Sequence, residues 1–163
     1  MKILTIAIPS YNSMDYMRNC IESLLPGGED VEILIVDDGS KDDTPVIADE
    51  YQEKYPGIVR AIHQENGGHG EAVNAGLRNA TGFFYKVVDS DDWVDAESYQ
   101  KILAFLKEAM KEEEPLDMLL SNYVYEKVGA KHKKVIQYHS ILPENRYFGW
   151  DEIGHFHASQ NIL

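Results

Sequence analysis

The 163-residue sequence contains a single cysteine, Cys20, so no intrachain disulfide can form. That fits a reducing compartment. The sequence also lacks an apolar run approaching the ~20 residues of a membrane span. Its opening, MKILTIAIPSYN, has no small-residue cleavage site and reads as a first strand, not as a signal peptide. Basic side chains are scarce: 15 Lys and Arg stand against 28 Asp and Glu, a net charge of -13. A field of that sign repels nucleic acid and anionic membrane. It repels a phosphorylated small molecule too, unless a cation or backbone amides receive it. There is no internal repeat, low-complexity tract or linker.

What is present is the composition of a soluble globular chain, 44% apolar and 26% charged. Four short β-rich runs alternate with helical patterns over the first 115 residues. The runs are ILTIAI (3–8), VEILIV (31–36), IVRAIH (58–63) and FFYKVV (83–88). Between the first two, Met14, Met17, Ile21, Leu24 and Leu25 recur at helical spacing until PGG at 26–28 ends the pattern. A second helix starts at Thr44 and Pro45, with Ile47, Ala48, Tyr51 and Tyr55 facing inward. A third carries Ala72, Val73, Gly76, Leu77 and Ala80 on one side. A fourth follows Asp95, with Tyr99, Ile102, Leu103, Leu106 and Met110 inward.

This alternation predicts an α/β fold with a mostly parallel central sheet and helices on both faces. Beyond Pro115, the segments LDMLLSNYVYEKVG and KHKKVIQYH predict an added hairpin around Gly129. Lys131, His132, Lys133 and Lys134 form its solvated tip.

Ligands in parallel sheets sit outside the carboxyl ends of the strands. The clusters PSYNS, DDGSKDD, QENGGHG and DSDD each follow one of the four strands, so all should meet at one edge. Each has two readings on its own. Asp89, Asp91 and Asp92 form either a solvated turn with Asp92 or Asp95 capping the next helix, or a set of hard oxygen ligands for Mg²⁺ or Mn²⁺. Asp37 and Asp38 form either a turn built on Gly39 or an acceptor for a base N–H such as N3–H of uracil. Asn12 or Ser13 caps a helix, or Pro9, Ser10 and Tyr11 wall a nucleoside. The glycines of NGGHG could present amides to phosphate. The segment matches neither the P-loop nor the Rossmann fingerprint.

As an ordered set, IPSYN, ILIVDDGSKDDT, NGGHGEAVNAGLRNATG and DSDDW resemble family 2 glycosyltransferases over roughly residues 1–112. The resemblance implies the A-type (GT-A) nucleotide-sugar-binding fold and a UDP-sugar-type donor. It also implies a Mn²⁺ or Mg²⁺ ion, and inverting transfer to an acceptor hydroxyl, saccharide or lipid-linked. Carried over by position, Pro9, Ser10 and Tyr11 border the nucleoside and Asp38 takes the base, with Asp37 a secondary candidate. Asn66, Gly68, His69, Asn74 and Ser90 line the nucleotide. Asp89 and Asp91 hold the metal, and Asp92 orients sugar or diphosphate.

Two positions depart from the pattern. Val73 stands where many members carry a basic residue, and Lys86 lies inside the fourth strand, either snorkelling or paired with a nearby carboxylate. No general base is identified. Asp151 and Glu152 fit poorly, and His155 and His157 do not complete a metal site. The expectation is therefore one glycosyltransferase domain truncated at its C-terminus, with a base beyond Leu163. Residues 1–115 would form the nucleotide-sugar part and 116–163 the start of the acceptor side. A cytoplasmic location is expected, at the inner face of a membrane through other segments or partners. The alternatives are a nucleotide-sugar-binding module without turnover and a Mg²⁺-dependent receiver-like or phosphatase-like domain. The latter places its acidic pair after strand one, where this chain has PSYNS.

Overall fold

The computed structural model describes residues 1–113, 116–126, 133–138 and 142–152. The chain divides into two compact units, Met1–Pro115 and Leu116–Leu163.

The first unit is built on four parallel strands: β1 (Leu4–Ser10), β2 (Val31–Asp37), β3 (Val59–His63) and β4 (Phe84–Val87). Their order across the sheet is β3-β2-β1-β4. Successive strand side chains point to opposite faces. All seven residues of β1 and all seven of β2 are nonetheless buried. Both faces of the sheet centre are therefore covered, as the predominantly apolar runs suggest, and the buried polar pair Thr5 and Glu32 is hydrogen-bonded at 2.8 Å. Ile6, Ile8, Ile33, Leu34, Ile35 and Val36 form the heart of this core.

The helices are α1 (Met17–Leu24), α2 (Thr44–Lys54), α3 (His69–Asn79) and α4 (Ala96–Ala109). α3 packs on β1 and β2, and α2 on β2 and β3. The contact between α3 and β1 is close: a Cβ on Gly76 would lie 2.6 Å from the Ala7 Cβ and 2.8 Å from the Tyr85 hydroxyl. α4 is capped by Asp95, whose carboxylate accepts the Ser98 N–H at 2.9 Å.

Three local expectations need correction. The helical spacing that included Met14 runs through a loop, and Met14 is 42% exposed. α1 stops at Leu24, and a 3₁₀ turn, Leu25–Asp30, carries the chain through PGG with Gly28 at φ 55°. Leu77 is 56% exposed, because the inward face of α3 is made of Ala72, Ala75 and Gly76. At that distance from the sheet only small side chains fit.

In the second unit, β5 (Tyr123–Tyr125) pairs antiparallel with β6 (Lys134–Ile136), as expected of the hairpin. Gly129, Lys131, His132, His155 and His157 lie outside the described residues. No helix among the described residues is long and apolar enough to cross a membrane.

Candidate functional site

In the order β3-β2-β1-β4 the chain leaves β1 in one direction for β2 and β3, and returns to its other side for β4. The switch point lies between β1 and β4, the place in a parallel sheet where ligands bind outside the carboxyl ends of the strands. The loops that follow these two strands carry PSYNS and DSDD.

The two loops are fastened together. Ser13 Oγ and Ser90 Oγ are 2.9 Å apart and both residues are buried. The Ser13 hydroxyl also accepts the Tyr11 N–H at 3.2 Å. Residues 89–92 form a tight turn, with the Asp92 N–H donating to the Asp89 carbonyl at 2.9 Å. Ser90 turns inward, while Asp89, Asp91 and Asp92 remain exposed. Beneath the turn, the Cys20 thiol donates to the Asp89 carbonyl. Burial, followed by the charges of Asp92, Asp89 and Asp91, pushes that thiol up to about 12.

The β1 loop is tied equally firmly to the β2 loop. Asn12 adopts φ 50°, its N–H donates to Ser40 Oγ at 2.9 Å, and its Oδ1 accepts the Lys41 N–H at 2.9 Å. The Ser13 N–H donates to Thr44 Oγ1 at 2.7 Å, and the Thr44 N–H donates to Asp42 at 3.0 Å. Neither Asn12 nor Ser13 caps α1. Their polar groups hold loops from different strands, and Thr44 serves this network as the first residue of α2.

Asp37 and Asp38 are both buried. Asp38 is 3% exposed, and its carboxylate accepts three donors: Gln64 Nε2 at 2.7 Å, the Gly67 N–H at 2.8 Å and the Gly68 N–H at 2.8 Å. Burial alone would raise its pKa. The hydrogen bonds from Gly67, Gln64 and Gly68 outweigh that and hold it below the ordinary carboxylate value. Gly39 (φ 73°) permits the approach, since a Cβ there would lie 2.8 Å from the Asn66 backbone nitrogen.

Asp37 uses Oδ1 to accept the Ser40 N–H at 3.0 Å, and Oδ2 lies 3.2 Å from His63 Nδ1. The other ring nitrogen of His63 lies 3.0 Å from Asp49 Oδ1 on α2. Burial pulls the imidazole pKa down, but the bonds to Asp49 and Asp37 prevail and raise it.

The glycine turn leads into α3, where His69 Nε2 stands 3.9 Å from Asp89 Oδ1. This brings the third loop to the acidic turn. Asn66 and Asn74 are exposed, and the Asn74 side chain hydrogen-bonds Glu71. Pro9 and Ser10 are buried strand residues; the Ser10 carbonyl accepts the Asp38 N–H at 2.9 Å. Tyr11 is 48% exposed at the strand end. Lys86 is exposed and forms no ion pair among the described residues, although its charge reaches Asp92. Burial, then Asp91 and Asp89, raise the Asp92 pKa, and Lys86 opposes them.

Among the described residues, no group of three His, Cys, Asp or Glu side chains is arranged to hold a metal ion. Asp89 and Asp91 present hard carboxylate oxygens in the open. That donor set fits Mg²⁺ or Mn²⁺ in their usual mode, with one or two carboxylates supplemented by water and substrate phosphate.

The family model for Glycosyl transferase family 2 matches residues 5–157. The chain belongs to that family. Among its relatives, EpsH of Bacillus subtilis is 36% identical over 124 residues, 76% of this chain and 34% of EpsH. The crystal structure of Staphylococcus aureus TarS 1–349 in complex with UDP-GlcNAc superposes with a TM-score of 0.58 at 34% identity, over 68% of this chain and 32% of that one. The fold is shared with the mannosyltransferase PcManGT of Pyrobaculum calidifontis, solved with GDP-Man and Mn²⁺ (TM-score 0.54, 24% identity, 59% of this chain and 30% of that one). The chain thus spans about a third of the length of EpsH and of TarS 1–349. The mostly parallel sheet with covered faces is the A-type architecture that the sequence predicts.

Proposed function

We propose that this chain forms the donor-binding part of a glycosyltransferase that takes a sugar from a UDP-sugar and passes it to an acceptor hydroxyl. One observation carries the reading: loops from separate strands meet at one edge, through Ser13 with Ser90, Asp38 with Gly67 and Gly68, and His69 with Asp89. The family membership and the UDP-GlcNAc bound by TarS support the donor class.

In this reading the exposed Tyr11 ring walls the nucleoside, and the buried Pro9 and Ser10 contribute backbone only. An ionised carboxylate offers about four lone-pair directions. Asp38 uses three on the glycine turn, leaving one on Oδ2 for the N3–H of uracil. Asp89 and Asp91 would hold Mn²⁺ or Mg²⁺ together with the diphosphate, with Asp92 beside them to orient the sugar. When bound, the ion supplies positive charge to the UDP leaving group. His69 stands where it can face the same phosphates. Attack from the opposite side inverts the anomeric carbon. No described residue is assigned as the base: Glu152 is held by Arg146 at 2.6 Å and by the Gly149 N–H, which lowers its pKa and weakens it as a proton acceptor. We place residues 1–115 on the donor side and 116–163 at the start of the acceptor side. The reaction belongs to the cytoplasmic assembly of a saccharide or lipid-linked glycan.

Titration calorimetry with UDP, in the presence and absence of Mn²⁺, tests the reading. Uptake of UDP that Mn²⁺ strengthens is expected; no uptake under either condition would reject it.

A further inference from the structure

The last residue of β3 and the residue after it contact the paired acids at the end of β2 one to one. His63 is in register with Asp37 and faces its carboxylate, while Gln64 donates to Asp38. Successive side chains leave a strand on opposite sides. The Asp38 side chain therefore serves the glycine turn, and Asp37 serves something else. Its Oδ1 receives the Ser40 N–H, Ser40 Oγ receives the Asn12 N–H, and Asn12 precedes the Ser13 that is fastened to Ser90. A continuous line of hydrogen bonds thus runs from His63 to the loop bearing Tyr11.

The state of His63 follows from its surroundings. Both ring nitrogens face carboxylate oxygens, Asp37 Oδ2 at 3.2 Å and Asp49 Oδ1 at 3.0 Å. A neutral imidazole has one N–H and one lone pair, so it would turn its lone pair on one of the two acids. Only the imidazolium donates to both. The charged groups acting on the ring are Asp49 from α2 and Asp37 from β2, and both favour the cation.

We propose that His63 is a positioning residue for the donor site: as an imidazolium shared by Asp37 and Asp49, it fixes the turn at 37–40 and, through Ser40 and Asn12, the loop that carries Tyr11. Nucleotide affinity then depends on the charge of a side chain that need not touch the nucleotide. This rests on the donor-site reading above. Deprotonation removes the N–H from one of the two acids and frees Asp37 to tilt, so affinity falls as pH rises through the raised pKa of the ring.

The test is UDP calorimetry with Mn²⁺ across about pH 6 to 9, a range that brackets the ordinary imidazole value of about 6.5 on its alkaline side. The 163-residue chain is compared with its His63→Gln and Asp49→Asn variants. Ionisation of UDP itself is common to all three and cancels. Losing one charge-assisted hydrogen bond corresponds to about tenfold in affinity. We expect His63→Gln to bind about tenfold more weakly at the acid end and to lose the extra pH dependence of the wild type. Asp49→Asn, altered only at an exposed helix position, should move that dependence to lower pH and serves if His63→Gln does not fold. In the nucleotide-free chain, ¹⁵N shifts of the Ser40 and Asn12 amides should titrate with the His63 ring.

Wild-type affinity and pH profile in both folded variants would overturn the proposal. If the wild type takes up no UDP, the donor reading falls, and the amide titration then decides the positioning role: Ser40 and Asn12 amides that ignore the ring overturn it.

Discussion

Ser13 and Ser90, 77 residues apart in the chain, meet hydroxyl to hydroxyl at 2.9 Å beneath the acidic turn. The Ser13 hydroxyl has a second partner in the Tyr11 N–H, whereas Ser90 Oγ has no other partner among the described residues. The two serines are therefore not equivalent. Ser13→Ala should cost about 1–2 kcal/mol and Ser90→Ala about 1 kcal/mol, since a buried polar atom left without its partner loses more than the net hydrogen bond. The double variant should cost less than the sum of the two. Urea melts of all four proteins measure this cycle, and strictly additive losses would mean the hydroxyls are not coupled.

Asp38 predicts a pH dependence of stability. Its folded pKa lies below the unfolded value of about 3.9, so its contribution is complete above that value and is lost as pH falls through the folded one. Asp38→Asn should cost on the order of 1.5–3 kcal/mol near neutral pH, because hydrogen bonds to a charged acceptor are lost and an amide N–H₂ faces backbone N–H donors. The gap between wild type and variant should narrow towards pH 3. A gap that stays constant across the series would contradict the assignment.

The proposed metal pair, Asp89 and Asp91, should separate binding from folding. Asp89 and Asp91 are exposed, and surface substitutions usually change stability by no more than about 0.5 kcal/mol. The Asp89→Asn/Asp91→Asn protein should melt close to the wild type. It should lose at least about tenfold of the Mn²⁺-assisted UDP affinity, and calorimetry alongside thermal melts would show whether it does.

Cys20 should be chemically silent. Its thiol lies under the acidic turn with a pKa pushed up to about 12. Since only the thiolate is nucleophilic, alkylation near pH 8 should run on the order of a thousandfold slower than for a free cysteine of pKa about 8.5. Rapid labelling of folded protein, followed by mass spectrometry, would refute the burial.

Gly39 holds a left-handed backbone conformation and abuts Asn66. Gly39→Ala adds a methyl group 2.8 Å from the Asn66 nitrogen at φ 73°. A loss of roughly 1–3 kcal/mol is expected, accompanied by weaker UDP uptake as the glycine turn is displaced. Unchanged stability and uptake would show that the two loops can part without consequence.

Much of this fold could be read from periodicity. Strands 3–8 and 31–36 stand out as runs apolar at all but one position each, Thr5 and Glu32, as a sheet covered on both sides produces. The inward face of α3 departs from its apolar spacing because hydrophobicity and proximity compete there. Leu77 has the apolar character of a core residue, but Gly76 sits so near Ala7 that the inner face admits only small side chains. Met14 lies outside α1 because the helical spacing continues by chance into a loop. The acidic turn and the paired acids were legible as residues, and the inward turn of Ser90 was not. The roles of Asn12, Ser13 and Ser40 were hidden for a different reason: their bonds join loops about 28 to 77 positions apart, and no local pattern records such a bond.

The clamp on Asp38 also divides the labour of the glycine segment. Because the amides of Gly67 and Gly68 point back at a buried anion, neither is left to greet an incoming pyrophosphate. In the proposed donor site, attraction for that group would come from the ion beside Asp89 and Asp91 and, within this segment, from the opening of α3 and the His69 ring. The conspicuous double glycine thus serves first as a pin that fastens the glycine turn to the end of β2.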